Sequence, residues 1–425
     1  KSGKVPMLTY FLFFFYLFTG TILMHIIIRR KIFPFTIYHT SSVIIFKVLM
    51  GCLYGWVFLH YYGGDDTWNY FIESKAETGV LLRHPFQFIH EFLPELSLKA
   101  SGYNGWKAVG FYIEHFERWF LIKGLAVLNL FSGKNYYIDV LLFEFLTIAG
   151  PLLIFKILAN EFPLRIGMNF ILIFFIPSVI FWCSGIRAES LLLMFMALVI
   201  FNGKAYSRKP HMKSLLGIFS GLTGLLLIRY QFLIVFLPAF VAYILSLKKI
   251  KNPALYFRNI YLVLGLVFIV SLFLPPAYQF SEPFRHSQES FFQLKGNTRY
   301  HLDTLKPGPK SFLAILPQAI ANTALRPYPW EGKNLLQSVS SIDVLFLVAG
   351  LIYFLTSPRR REQINHPIYW LFIFYGLSQL ITIGYVVPFP GAIVRYRSIS
   401  FLMVSLFLYS GNPLLQQKVR SWIFK

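Results

Sequence analysis

Acidic residues are scarce in this chain. Of 425 residues, 18 are Asp or Glu against 40 Lys or Arg, so the formal net charge is +22. Charged residues of both signs reach only 14%, where a soluble domain carries roughly 25%. Other absences each remove a class of function. No GxxxxGK[ST] stretch and no Gly-rich dinucleotide fingerprint occur, which excludes the standard nucleotide cradles. No HExxH and no CxxC occur, which leaves no standard zinc site. Two cysteines, Cys52 and Cys183, give no disulfide framework. No Asn-x-Ser/Thr acceptor occurs, which favours a bacterial source over a protein facing a secretory lumen. The N-terminal apolar stretch lacks a small-residue cleavage signature and reads as a retained span.

What is present is apolar. Hydrophobic residues make up 56%, in long uninterrupted runs, and about 20 apolar residues cross a bilayer as a helix. The alternation of outer-membrane strands is absent. The expected fold is an all-α polytopic membrane protein with about 11 transmembrane helices. The spans are placed at 7–28, 41–61, 136–158, 166–182, 189–201, 215–228, 232–247, 260–275, 342–355, 368–386 and 398–409. The whole chain, 1–425, reads as a single transmembrane domain. Two long stretches interrupt the spans, at 62–135 and 276–340.

The excess of basic residues would suggest nucleic acid in a soluble protein. Here most of it lies in short gaps, as cytoplasmic loops require, so a nucleic-acid partner is not expected. Arg29, Arg30 and Lys31; Lys204, Arg208, Lys209 and Lys213; Lys248, Lys249, Lys251 and Arg258; Arg359, Arg360 and Arg361; and Lys418, Arg420 and Lys425 then fall on one side. Both long stretches face the opposite, outer side. The first contains amphipathic runs: Trp106, Phe111, Phe116, Trp119 and Phe120 interleave with Lys107, Glu114, Glu117 and Arg118. Such helices lie in a membrane interface or pack over the outer end of a bundle. "LKPGPKS", 305–311, reads as a turn-rich break in the second.

Charge at membrane depth is expensive, on the order of 2–3 kcal/mol by insertion scales, and marks functional candidates. On the outer side "CSGIRAES" holds Arg187 and Glu189, "LLLIRYQFL" holds Arg229, "TALRPYPWEG" holds Arg326 and Glu331, and "PGAIVRYRSIS" holds Arg395 and Arg397. One arginine at a span end commonly snorkels to the headgroups. Five on one side point to an anion site, because guanidinium forks bind phosphate in bidentate fashion. An anion at that surface suits a lipid-linked phosphate or diphosphate.

"HYYGGDDTWNY" places Asp65 and Asp66 at the outer end of the second span. Asp is a favoured helix N-cap and Gly-Gly-Asp is ordinary turn chemistry. Only one of the two can be the cap. The other, with Asp66 preferred, is a candidate general base for an incoming hydroxyl, or the pair is a ligand set for a divalent ion such as Mg or Mn. His84, His90 and His115 have no metal-site spacing and read as surface residues. In the third span Asp139 reads as structural, and Glu144 lies deeper.

These motifs resemble the GT-C superfamily of integral-membrane glycosyltransferases, over roughly residues 41–410. "GGDDTWNY" followed by amphipathic helices is similar to that superfamily's acidic first outer loop. "PSVIFWCSGIRAESLLL" resembles a turn between middle spans of bacterial members, and "RPYPWE" and "VRYRSIS" resemble arginine-bearing outer segments. Two departures stand out: the acidic site reads Gly-Gly-Asp-Asp rather than Asp-x-Asp, and one span precedes the usual first. The resemblance implies a bacterial inner-membrane enzyme with its site facing the exterior. It would take a polyprenyl-linked sugar donor and a glycan, lipid or protein acceptor. Asp65 or Asp66 would take the proton of the attacking hydroxyl. Arg187, Arg326, Arg395 and Arg397 would neutralise the departing lipid phosphate, with inversion at the anomeric carbon. Competing readings are an O-antigen or capsule polymerase or ligase, a transporter or flippase, and a structural subunit of an envelope complex.

Overall fold

A computed structural model describes residues 7–92, 106–248, 252–275, 278–296, 298–332, 335–357, 365–410 and 413–424. Lys249, Lys251, Arg359, Arg360, Arg361 and Lys425, and the side chains of Trp106 and Lys107, lie outside the described residues. Every element among the described residues is helical. Among the described residues, nine helices are long and apolar enough to cross a membrane, two fewer than expected. The chain is therefore a multi-pass helical membrane protein.

The difference in count has two local causes. The expected span at 166–182 is broken into Ile166–Phe174 and Pro177–Trp182. Pro177 has no N–H to continue the ladder, and it forces Ile176 into extended backbone (φ −70°, ψ 116°). The expected spans at 215–228 and 232–247 run together as Met212–Leu247, interrupted only where Arg229 leaves helical geometry (φ −154°, ψ 96°).

Packing divides the chain into two compact units: 1–161, 173–203 and 211–233 form the first, and 162–172, 204–210 and 234–425 the second. In the first unit, α1 (Met7–Ile27) and α2 (Ile37–Tyr62) are apolar spans. The described part of the 62–135 stretch supplies α3 (Asp66–Arg83), α4 (Pro85–His90) and α5 (Trp106–Ser132). Next come α6 (Tyr136–Thr147) and α7 (Ala149–Glu161), which together make one span, and α8 (Pro177–Trp182) leads to α9 (Ala188–Arg208).

The α3–α4–α5 assembly is held by charge as well as packing. Lys123, fully buried on α5, reaches Glu77 at 2.7 Å and Glu91 at 2.6 Å and lies 4.4 Å over the Phe88 ring. Arg118 meets Glu73 at 2.6 Å on the exposed side. Glu73 and Glu77 are four residues apart, so both face α5 from one side of α3. His84, His90 and His115 are exposed.

The second unit holds spans at Pro253–Ser271, Gln337–Thr356, Pro367–Val386 and Pro390–Leu408. The 276–340 stretch supplies helices Glu282–Gln293 and Pro309–Ile320. The 305–311 break is a bend that ends where Pro309 opens a helix. Leu302, Leu305, Phe312, Ile315 and Ala319 from this stretch pack with Ile383, Tyr385, Val386 and Ile393. Gln288 staples the segment, donating to Tyr385 O (2.7 Å) and Asp303 O (3.1 Å) and accepting from Leu305 N (2.8 Å).

Candidate active site

The α2–α3 junction shows why the sequence reads Gly-Gly-Asp-Asp. Gly63 (φ 73°) and Gly64 (φ 114°) take the positive backbone angles that end α2 and reverse the chain. Asp65 then caps α3. Its Oδ1 accepts from Thr67 N (3.1 Å), Thr67 Oγ1 (2.7 Å) and Trp68 N (3.4 Å). Trp68 stacks on Tyr136 at 3.8 Å and donates to Gly55 O at 2.9 Å, which fixes α3 against α2 and α6. Asp66 is the first residue of α3 and its side chain is exposed.

The second oxygen of Asp65 opens a chain of alternating charge. Oδ2 accepts from Tyr54 OH at 2.5 Å and pairs with Arg187 Nη1 at 3.3 Å. Arg187 also donates to Tyr54 OH and lies 4.8 Å over that ring. Its Nε reaches Glu189 Oε2 at 3.2 Å. Glu189 Oε1 meets Arg229 Nη1 at 3.2 Å, and Arg229 Nε meets Glu117 Oε2 at 3.1 Å. Three carboxylates and two guanidiniums, gathered from five parts of the first unit, thus form one network. The helix break at Arg229 lies within it. Arg187 is 3% exposed and Glu189 0%, yet Arg187 Nη2 has no hydrogen-bond partner.

The turn that carries Arg187 is held from beneath. Lys47, in the middle of α2, donates to Cys183 O at 2.7 Å and pairs with Glu144 at 2.6 Å. Glu144 accepts the Gly185 N–H. Gly185 has φ 77°, and a Cβ on Gly51 would stand 2.8 Å from Gly185 N. Gly51 is needed for this close approach of α2 to the turn, and Gly185 for its positive backbone angle. A buried ion pair of this kind carries a desolvation cost offset only by good geometry. Here it fixes the position of a buried irregular turn, whose backbone groups must find partners inside the protein.

The sequence-predicted residues therefore separate into two groups. Asp65, Arg187, Glu189 and Arg229 meet in the first unit. Arg326, Arg395 and Arg397 belong to the second. Arg397, 1% exposed, donates through Nη1 to Thr323 O (2.6 Å) and Arg326 O (2.7 Å), so its main contacts are to backbone. Arg326 pairs with Glu331 at 2.9 Å and lies 4.7 Å over Tyr300. Burial, with Glu331 adding, pushes the Tyr300 phenol up to about 12, so it stays protonated at neutral pH. Arg395 lies 5.3 Å over Tyr396.

A divalent ion bridging Asp65 and Asp66 does not fit this donor set. Five donors already point at the Asp65 carboxylate, one of them a guanidinium. Among the described residues no group of three or more His, Cys, Asp or Glu gathers as a metal site. Sequence reasoning missed Tyr54 and Lys47. Lys47 carried a usable signal, an ionisable residue inside a span. Tyr54 carried none, since aromatics are common in spans.

The chain matches no protein-family model, no curated protein and no solved structure. Its fold and its buried charges are what define its class: a multi-pass helical membrane protein with a charged site at one end of α2.

Proposed function

We propose that the chain is a glycosyltransferase of the bacterial inner membrane, working at its outer face with a polyprenyl-phosphate- or diphosphate-linked sugar. The observation that carries this reading is Arg187: buried, aligned by Tyr54, Asp65 and Glu189, and with its Nη2 unused. A preorganised guanidinium with a spare donor suits an anionic oxygen, and phosphate is the anion it matches best. Fixed cations that meet charge as it develops are the main electrostatic aid to such a departure.

In this reading Asp66, exposed beside the cap, accepts the proton of the acceptor hydroxyl. The hydroxyl oxygen forms a bond to the anomeric carbon, and the bond from that carbon to the lipid phosphate oxygen breaks. The phosphate leaves with the electron pair toward Arg187, backed by Arg229. Asp65 holds Tyr54 and Arg187 in place. No step runs through a metal.

The test is transfer from labelled polyprenyl-phosphate hexoses by the purified chain in nanodiscs. Asp66→Asn is expected to lower turnover by about 100-fold or more with unchanged melting. Retained turnover in both Asp65→Asn and Asp66→Asn overturns the general-base assignment.

A further inference from the structure

The junction of α5 and α6 in the first unit contains buried oxygens that lack well-formed hydrogen bonds. Asn129, Ser132 and Asp139 are 3%, 2% and 0% exposed. The Asn129 amide is oriented by its neighbours: Nδ2 donates to Ser74 Oγ (2.9 Å) and Thr78 Oγ1 (3.1 Å). Both hydroxyls give their own protons to backbone carbonyls, Ser74 to Phe71 O and Thr78 to Ser74 O, each at 2.8 Å. They can only accept from Asn129, so the amide cannot be flipped and its Oδ1 is left without a donor. One turn further along α5, Ser132 faces the Asp139 carboxylate in the first turn of α6. Ser132 Oγ interacts with the Asp139 carboxylate without forming a well-shaped hydrogen bond, and neither it nor the two Asp139 oxygens has another partner.

Buried carboxylate oxygens without a well-formed hydrogen bond are costly, and so is a buried amide oxygen without a donor. Lys75 is the charged side chain that acts on Asp139 among the described residues. It is exposed, its ammonium lies 4.2 Å over the Phe71 ring, and it makes no ion pair with Asp139.

We propose that this junction binds one small monovalent cation, of which sodium is the representative, through Asp139, Ser132 Oγ and Asn129 Oδ1. A set of oxygens alone selects a hard cation. One carboxylate neutralises one positive charge; a divalent ion would leave a surplus in an apolar setting with Lys75 nearby. The ion would tie the end of α5, the helix that carries Glu117, to the start of the α6–α7 span. The proposal does not depend on the transfer reaction.

The experiment melts the full chain in detergent micelles in NaCl, KCl or choline chloride at equal ionic strength. Sodium is expected to raise the melting temperature above that in choline by about 2–4 °C, saturably, because it binds the folded state. Ser132→Ala should raise the half-saturating sodium concentration roughly tenfold, and Asp139→Asn should abolish the shift. Equal melting of the unsubstituted chain in sodium and choline overturns the proposal. So does a rise on acidification in choline that equals the sodium effect, because a protonated Asp139 would then be the satisfied form. If Asp139→Asn fails to fold, the salt comparison and Ser132→Ala still decide.

Discussion

Arginine plays two different parts in the two units. In the first, Arg187 and Arg229 alternate with Asp65, Glu189 and Glu117. In the second, Arg397 turns its guanidinium to the carbonyls of Thr323 and Arg326, with Asp343 more distant at 3.9 Å. The first arrangement is an electrostatic lattice with nearly balanced charge. The second is a backbone clamp for the turn that follows Pro309–Ile320. Outward resemblance of "GIRAES" and "VRYRSIS" as charged breaks in apolar sequence thus conceals a difference in what the charge contacts. A guanidinium among carboxylates is held by ionic partners and can position an anion; one facing carbonyls satisfies a chain reversal.

The contrast can be tested by removing single charges. The largest effect is expected at Lys47, which supports the Arg187 turn. Lys47→Met strands the buried Glu144 carboxylate and should destabilise the protein by roughly 3–5 kcal/mol, read by thermal unfolding in micelles. Lys47→Met combined with Glu144→Leu should regain a large part of that loss, since no charge is left unpaired. Failure of the double variant to recover would show that the contacts to Cys183 and Gly185, not the charges, carry the stability.

An intermediate effect is expected at Arg397. Arg397→Met removes two charge-assisted hydrogen bonds to carbonyls, about 1.5–3 kcal/mol each at most, but also relieves the burial of a charge. A net loss of about 2 kcal/mol, smaller than for Lys47→Met, follows. A loss as large as that of Lys47→Met would erase the distinction between lattice and clamp.

The smallest effect concerns Glu91. Burial works to raise its carboxyl, but hydrogen bonds from Lys123 and Gln87 and the charges of Lys123 and His90 outweigh it and hold it below the ordinary 4.5. A depressed carboxyl contributes stability that is present above its unfolded value and is lost as pH falls through the folded one. The melting difference between the unsubstituted chain and Glu91→Gln should therefore be constant near neutrality and vanish on acidification below 4.5. A difference that persists into stronger acid would mean that Lys123 relies on Glu77 alone.

Much of the architecture was legible because composition and run length carry it. Spans such as Ile37–Tyr62, Ala188–Arg208 and Pro367–Val386 fall where apolar runs predict them. The breaks were harder. Pro177 is a visible helix breaker, but the long apolar run around it conceals two short helices. Arg229 marks an interruption that no turn residue announces; its guanidinium goes to Glu189 and Glu117, and the local backbone leaves helical geometry there. Of the site, the acidic pair and the arginines were visible as charges in apolar surroundings. The assignment of Asp65 as cap and partner of Arg187 was not, because either aspartate satisfies the local turn pattern.

The sequence by itself determined the solvent of this protein: its apolar runs require a bilayer, and its backbone must then be helical to satisfy its own hydrogen bonds. It also determined which residues are costly to keep there. Only the tertiary structure decided their partners. Lys47 and Glu144 are 97 residues apart as numbered, and Tyr54 and Arg187 are separated by 133. Apolar side chains discriminate little between lipid and a neighbouring helix, so hydropathy cannot encode which spans meet. The pairing is selected by a few close backbone approaches, such as Gly51 against Gly185, and by buried charges whose satisfaction depends on the complete fold.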